Sequence, residues 1–234
     1  MNGILLQAIN LGDTVNQAAN NPSTTDPEPM NLWLMATYGG WIMIVLAVLL
    51  ALAVYLFIER LVVINAAKKE DKSFMDRIKD YIHEGKIDSA LNLCKKTNTP
   101  SARMIEKGIT RIGRPMNDIQ VAIENVGNLE VANLEKNLVI LATISAGAPM
   151  LGFLGTVLGM VQTFYNMAGS ASGVIELSSL SEGMYQAMVT TVGGLIVGIL
   201  VIFAYNYLVS RIDSVVRLLE GRTMEFMDLL NEPA

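Results

Sequence analysis

Reactive and titratable side chains are scarce in this sequence of 234 residues. It contains one cysteine, Cys94, and one histidine, His83, so a disulfide within the chain and a thiol metal cluster are excluded. Cys94 lies in helical register with apolar residues, which predicts a buried structural thiol. His83 is expected on a solvated helix surface. Motifs for phosphate-binding loops, serine hydrolases and zinc peptidases are also missing, so we expect neither an enzyme nor a cofactor.

Charged residues are also few and unevenly placed. They make up 17% of the chain, against 52% hydrophobic residues, and none occurs in 39–58, 137–175 or 183–210. Because about 20 apolar residues cross the hydrocarbon core as a helix, each run can span a membrane once. The end of the second run is rich in glycine and serine, which favours an external loop. The sequence therefore predicts an all-α membrane protein with three transmembrane helices.

The positions of basic residues predict the orientation in the membrane. All 17 Lys and Arg residues fall in 60–136 or 211–222, and the positive-inside rule places both regions in the cytoplasm. The N-terminus is then outside and the C-terminus inside. The net charge of −5, with acids interleaved among the bases, argues against a nucleic-acid partner.

These patterns predict the following segments. They are an external amphipathic arm and linker (1–30), a first membrane helix (31–64), a cytoplasmic helical domain (65–136), a second membrane helix (137–168), an external loop (169–182), a third membrane helix (183–210) and a cytoplasmic C-terminal helix (211–234). For the N-terminal arm, a disordered tail is an equally open interpretation.

Long helical extensions are expected on the cytoplasmic side. Helix starts are predicted at Pro100 and Pro115. From Asn117 the periodic pattern runs into the second span without a breaker, which predicts one continuous helix, and the third span continues in the same way. A domain this small would bury its apolar stripes better in an oligomer. The stripes are Phe74, Ile78 and Ile82; Met104, Ile105, Ile109 and Ile112; and Ile212, Val215, Val216 and Leu219.

Small and hydroxyl-bearing residues form one face on each of the last two predicted spans. The spacing can mean simple packing, since small residues three or four apart let helices approach closely in lipid. It can also mean that the two faces surround a central space that admits water or another helix, with threonine hydroxyls able to orient water. The candidate residues are Gly152, Thr156, Gly159, Thr190, Thr191, Gly194 and Gly198. Pro149 adds a freed carbonyl one turn earlier, which water or neighbouring groups must satisfy.

Neither of these two spans contains an Asp, Glu, His, Lys or Arg residue. A membrane proton path normally uses an acid or base within the membrane, because only a group that can neutralise avoids the cost of a buried ion. If this chain conducts protons, the titrating group must therefore come from a partner helix.

Four stretches resemble the MotA/TolQ/ExbB proton-channel family, and ExbB-like biopolymer transport proteins most closely. The resemblance covers roughly residues 32–230. The stretches are "GAPMLGFLGTVLGMVQTF" (147–164), "GMYQAMVTTVGGLIVGI" (183–199), "IER" (58–60) and "GKIDSALNLCKK" (85–96).

The resemblance implies a homo-oligomer, a pentamer in known members, in the bacterial inner membrane with its N-terminus in the periplasm. The second and third helices would line a central pore, with Thr156 and Thr191 matching the family's pore threonines. Single-span ExbD-like helices in the pore would bring the titratable Asp. Proton flow would then drive a TonB-like protein. Membrane lipid is the other expected partner.

One position departs from the family pattern. Many relatives have a Glu where this chain has Gln186, which can hydrogen-bond but cannot titrate. Glu176 and Glu182 lie nearby and are candidates for the external mouth of the path. Other interpretations also stay open: a TolQ-like envelope-maintenance role, a gliding or secretion motor, or a non-conducting membrane scaffold whose glycines serve only packing.

Overall fold

The structure, a computed structural model, describes residues 40–68, 73–169 and 177–231. The predicted arm 1–30 and residues 170–176 of the predicted loop 169–182 lie outside these residues. Within them the chain is helical, joined by short turns. The helices are α1 (Gly40–Lys68), α2 (Phe74–His83), α3 (Ile87–Thr97), α4 (Pro100–Ile109), α5 (Met116–Glu135), α6 (Leu138–Gly169) and α7 (Leu177–Asn231).

Three helical stretches of the described chain are long and apolar enough to cross a membrane: α1, the pair α5 and α6 taken together, and α7. Helices α6 and α7 pack side by side and run antiparallel. Helix α1 runs parallel to α7, as the ring contact between Phe57 and Tyr207, with centroids 6.3 Å apart, illustrates. Alternating directions are what three successive membrane crossings require. The all-helical, three-span prediction is therefore confirmed, whereas the oligomer remains a prediction.

Helix α7 is 55 residues long and extends well beyond a membrane thickness, to about 80 Å at 1.5 Å per residue. Its C-terminal part keeps its helical course because it packs on the small helical domain. Phe226 is fully buried there, against Gly108 of α4 and Ile123 of α5. The prediction that the third span continues as a helix beyond the membrane segment is confirmed.

The apolar stripes of the small domain form its core. Phe74, Ile78, Ile105 and Ile109 are buried, as are most stripe residues of α7. Ile112 differs, with 38% of its surface exposed, because α4 ends at Ile109 and the residue lies in the following turn.

Pro100 occupies the first turn of α4, and the Thr99 hydroxyl caps the helix by accepting from the backbone N–H of Ala102 at 3.3 Å. Helix α5 begins directly after Pro115. Both predicted helix starts are confirmed. Thr99 adds a side-chain cap at the first of these starts, whereas no side chain caps α5 after Pro115.

The prediction of one continuous helix from Asn117 into the second span is wrong. Helix α5 ends at Glu135, Lys136 leaves the helical region, and Asn137 has a positive φ of 68° before α6 begins. A second difference concerns the predicted external loop, of which residues 177–182 already belong to α7. In the first case the apolar periodicity is the same on both sides of the break, so the pattern gives no sign of it. In the second case the polar composition of residues 177–182 predicts a loop although these residues are helical.

Candidate functional site

The glycine rows of α6 and α7 face each other within one chain. A methyl group added at Gly194 would lie 2.6 Å from the carbonyl oxygen of Ala148 and 2.8 Å from the Cα of Gly152. One added at Gly152 would lie 2.9 Å from the carbonyl oxygen of Thr190. These are backbone atoms, which cannot swing aside. The two helices therefore approach closely enough that only glycine fits at their crossing.

The same close packing extends along both helices. A methyl group at Gly159 would lie 2.9 Å from the Cβ of Ala187, and one at Gly198 would lie 2.6 Å from the ring of Pro149. Close packing within the chain therefore accounts for the glycines at these positions, and a central space lined by the two helices stays a prediction. The alternative interpretation, helix packing, holds for Gly152, Gly159, Gly194 and Gly198 because each contacts the neighbouring helix of its own chain.

The threonine hydroxyls lie beside this crossing. Thr191 donates to the carbonyl oxygen of Gly152 at 3.1 Å, from one helix to the other. Thr190 donates to the carbonyl oxygen of Ala187 at 2.7 Å and is within 3.4 Å of the same Gly152 oxygen. Thr156 donates along its own helix to Phe153, at 2.6 Å. Gly152 thus gives both α7 threonines a shared acceptor, made reachable by its lack of a side chain.

The three threonines differ in what remains accessible. Thr190 is only 2% exposed and belongs to the packed interior. Thr156 and Thr191 are half-buried, so part of each side chain stays accessible. Their chain neighbours Gly155 and Thr190 contact each other across the antiparallel pair. The structure therefore separates the candidate set into glycines and Thr190, which are packed, and Thr156 and Thr191, which can still meet an external group.

Pro149 lies inside α6 and removes the backbone donor that the Ser145 carbonyl would otherwise receive. The proline ring packs on Gly198 of α7. The freed carbonyl of Ser145 also faces Gly198, since a methyl group there would lie 3.1 Å from its oxygen. Pro149 therefore contributes to the shape of the helix contact.

Gln186 is exposed and lines a cavity of about 390 Å³ formed by α1, α6 and the first turns of α7. Its amide nitrogen lies close to Gly40, at the start of α1. Glu182 also lines this cavity, whereas Glu176 lies outside the described residues. The lining consists of Gly40, Trp41, Ile42, Gly155, Leu158, Gly159, Gln162, Thr163, Asn166, Glu182, Gly183, Gln186 and Thr190.

Three polar residues of α6 also line the cavity: Gln162, Thr163 and Asn166. None of them was among the site residues predicted from the sequence. Gln162 donates to the side-chain oxygen of Asn166 at 2.9 Å, and Thr163 donates to the carbonyl oxygen of Gly159 at 2.8 Å. Amide side chains four residues apart in an uncharged span were the signal available in the sequence, since this spacing places both on one helix face.

Arg60 is a second residue whose role the sequence did not reveal, although it closes the "IER" stretch. It is 6% exposed and donates from Nη1 to the backbone carbonyl of Asn133 at 3.2 Å, and from Nη2 to Glu59 at 2.8 Å. Asn133 belongs to the last turn of α5, where carbonyls lose their helical partners. Arg60 therefore holds the end of α5 against α1, next to the break before α6.

The buried thiol prediction is confirmed. Cys94 is 1% exposed on α3, and burial, followed by the negative charge of Glu106, raises the pKa of its thiol from an ordinary 9.0 to about 12. His83 is exposed at the end of α2, as expected. Across residues 40–68, 73–169 and 177–231, no cluster of three potential metal ligands occurs.

Comparisons with known proteins identify several relatives of this chain. Relatives include an ExbB homolog of Methanothermobacter thermautotrophicus, 30% identical over 75% of this chain and 62% of its own length. Biopolymer transport protein ExbB of Aquifex aeolicus is 39% identical over 34% of this chain and 52% of its own length. The Tol-Pal system protein TolQ of Haemophilus influenzae is 26% identical over 60% of this chain and 56% of its own length.

The chain thus spans less than two thirds of the length of each of these relatives. Residues 96–221, more than half of the chain, match the model of the MotA/TolQ/ExbB proton channel family. The match contains the α6–α7 crossing, both accessible threonines and the break before α6. By this match the chain is a member of the MotA/TolQ/ExbB proton channel family.

Proposed function

We propose that this chain is a proton-channel and stator subunit of the bacterial inner membrane. With an ExbD-like single-span partner it converts the proton motive force into mechanical work for TonB-dependent import across the outer membrane. The observation that carries the proposal is that Thr156 and Thr191, one on each helix of an uncharged pair, are both half-buried near the α6–α7 crossing. Membership of a proton channel family supports proton transfer as the function, and the two threonine hydroxyls can hydrogen-bond a proton carrier.

The charge distribution supports a partner helix as proton carrier. No Asp, Glu, His, Lys or Arg residue occurs in 137–175 or 183–210, the stretches that contain α6 and the membrane-crossing part of α7. Hydroxyls orient water and stabilise a carboxylate, but they do not titrate at neutral pH. An Asp on an ExbD-like helix next to Thr156 and Thr191 would complete the path. Each charge that crosses would release about 2.3 kcal/mol per 100 mV of potential.

Oligomerisation is also part of the proposal, with a pentamer around the partner helices as its form. Large apolar side chains remain exposed on α6, including Met150, Phe153 and Phe164. Exposed faces of this kind suit either lipid or neighbouring copies of the chain. The N-terminus would lie in the periplasm and the C-terminus in the cytoplasm, since every basic residue falls in the two regions that this orientation places inside.

The test is proton flux through the reconstituted complex of this chain with an ExbD-like protein of the same genome. In Thr156→Val, which keeps the size and removes the hydroxyl, we expect an assembled oligomer by native mass spectrometry and at least a tenfold lower flux. Thr143→Val is the matched control, because Thr143 is exposed on the same helix and bonds only to its own turn. Normal flux in Thr156→Val would refute the role of this hydroxyl.

The match to TolQ supports a second candidate, a TolQ-like subunit that maintains the cell envelope. Both candidates use the same helix pair and proton path, so flux does not separate them. Co-purification does: a TonB-like partner supports the import role, and Tol-Pal components support the second. A complex that assembles normally, contains the single-span helices and conducts no protons would instead favour the scaffold.

A further inference from the structure

The cavity between α1, α6 and α7 is too polar to stay dry. Six of its lining residues carry amide, hydroxyl or carboxyl groups, although the surrounding helices are apolar. Polar groups that line a space recruit water where there is room, and 390 Å³ holds about ten molecules at roughly 30 Å³ each. These residues are Gln162, Thr163, Asn166, Glu182, Gln186 and Thr190. The cavity therefore has the size and the chemistry of a water-filled space.

Three of these residues form a column along α7. Glu182, Gln186 and Thr190 are spaced by four, so their side chains lie one above another on one face. Glu182 and Gln186 are exposed, whereas Thr190 is 2% exposed and closes the inner end. The column thus leads from the open rim of the cavity into the packed middle of the helix pair.

The inner end of the column is the α6–α7 crossing itself. The Thr190 hydroxyl lies 3.4 Å from the carbonyl oxygen of Gly152, and Thr191 donates to that same oxygen at 3.1 Å. Thr191 is half-buried and keeps an accessible side. Because both hydroxyls lie at one backbone oxygen, the inner end of the cavity adjoins the threonine of the proposed partner site.

Glu182 is the ionisable group of this arrangement. Among the described residues that line the cavity, those of α1 and α6 are apolar, glycine, amide or hydroxyl residues and carry no charge. Amide and hydroxyl groups both donate and accept hydrogen bonds, so they can hold a chain of water without titrating. Proton exchange with the outside then depends on the carboxyl at the rim.

We propose that this cavity is a proton-access route inside a single subunit, with Glu182 as its proton-collecting group. The carboxylate takes a proton from bulk water and releases it to water in the cavity. Gln186, Thr163 and Thr190 hold that water towards Gly152 and Thr191. The inference rests on the proposed proton-channel function and deepens it, since it places the outer half of the path within the subunit and not along the surface of the partner helix.

Water access is tested first by cysteine labelling. Cys94 is buried with its pKa raised to about 12, so the unchanged chain has a low background. The Thr163→Cys thiol would line the cavity. Val189→Cys is the matched control, because Thr163 and Val189 are both buried, with 8% and 3% of their surface exposed, and Val189 does not line the cavity. We expect a membrane-impermeant, cationic methanethiosulfonate reagent to modify Thr163→Cys at least tenfold faster than Val189→Cys in the assembled complex.

Equal labelling of the two variants, or none of either, would overturn the water-filled cavity. If Thr163→Cys fails to assemble, Gln162→Cys replaces it, since Gln162 lines the same cavity. The same two outcomes then apply to the replacement.

Proton flux tests the role of Glu182. In Glu182→Gln we expect at least a fivefold loss of flux with normal assembly, whereas Glu84→Gln, an equal charge change on an exposed turn, leaves flux unchanged. Normal flux in Glu182→Gln together with lost flux in Thr156→Val would overturn this inference and leave the proposed function standing. Normal flux in both variants would refute the proposed function as well.

Discussion

Gly194→Ala is the smallest change that tests the α6–α7 crossing. The added methyl group would lie 2.6 Å from the Ala148 carbonyl oxygen, and ordinary contact begins at 3.4 Å, so the helices must separate by roughly 0.8 Å. Such a movement would lengthen the 3.1 Å hydrogen bond from Thr191 to Gly152 to nearly 4 Å, which breaks it.

The expected loss follows from these terms. Overpacking of a tight contact costs about 1–3 kcal/mol, and a hydrogen bond between membrane helices contributes about 0.6 kcal/mol. Replacing glycine by alanine in a helix returns at most about 1 kcal/mol. We therefore expect Gly194→Ala to lower the free energy of unfolding by about 1–2 kcal/mol.

Gly147→Ala is the matched control. Gly147 precedes the residue that Gly194 contacts, so the two positions lie at the same level, and no atom approaches within 4 Å of an added methyl group there. This variant should be neutral or slightly stabilised. The assay is unfolding in mixed micelles of rising SDS content, followed by circular dichroism. If Gly194→Ala is as stable as Gly147→Ala, the helices are not held at the distance the structure shows.

Three further predictions concern Arg60 and Cys94. Arg60→Met should lower the free energy of unfolding by about 2 kcal/mol in the same assay, because it leaves the Asn133 carbonyl unpaired. Arg114→Met, at an exposed position, should not lower it. Equal effects of the two changes would contradict the stabilising role of the hydrogen bond between Arg60 and Asn133. Iodoacetamide at pH 8 should modify Cys94 about a thousandfold more slowly in the native than in the denatured chain, since the thiol pKa is raised to about 12; similar rates would contradict its burial. Because the unfolded thiol loses its proton first, Cys94 should also cost stability as the pH rises above 9.0, a slope that Cys94→Ala removes.

The helices were predictable where a local signal defines them. Uncharged apolar runs identified α1, α6 and the first half of α7, and the prolines at 100 and 115 located the starts of α4 and α5. The burial of Ile78, Ile105 and Ile109 followed from their spacing. Each of these inferences needs only residues that are neighbours in the sequence. The membrane boundaries of the segments stay predictions.

The break before α6 could not be predicted because its cause is distant in the sequence. Lys136 and Asn137 lie within a pattern that remains helical on both sides, and neither is a strong helix breaker. What stabilises the end of α5 is a hydrogen bond from Arg60, 73 residues earlier. The periodicity around residues 136 and 137 is visible in the local sequence, but the contact with Arg60 is not.

The sequence leaves packing and a proton path as alternatives for the small-residue faces, and the close packing also determines how Thr191 is placed. A side chain at residue 152 would keep the helices apart and shield its own carbonyl oxygen from both α7 threonines. The glycine contact therefore fixes Thr191 with one side on the crossing and the other accessible. A scaffold would need only the close approach, so a glycine substitution would affect stability alone. A proton path predicts that Gly194→Ala lowers flux even in the fraction that still assembles, because the hydroxyl of Thr191 loses its fixed direction.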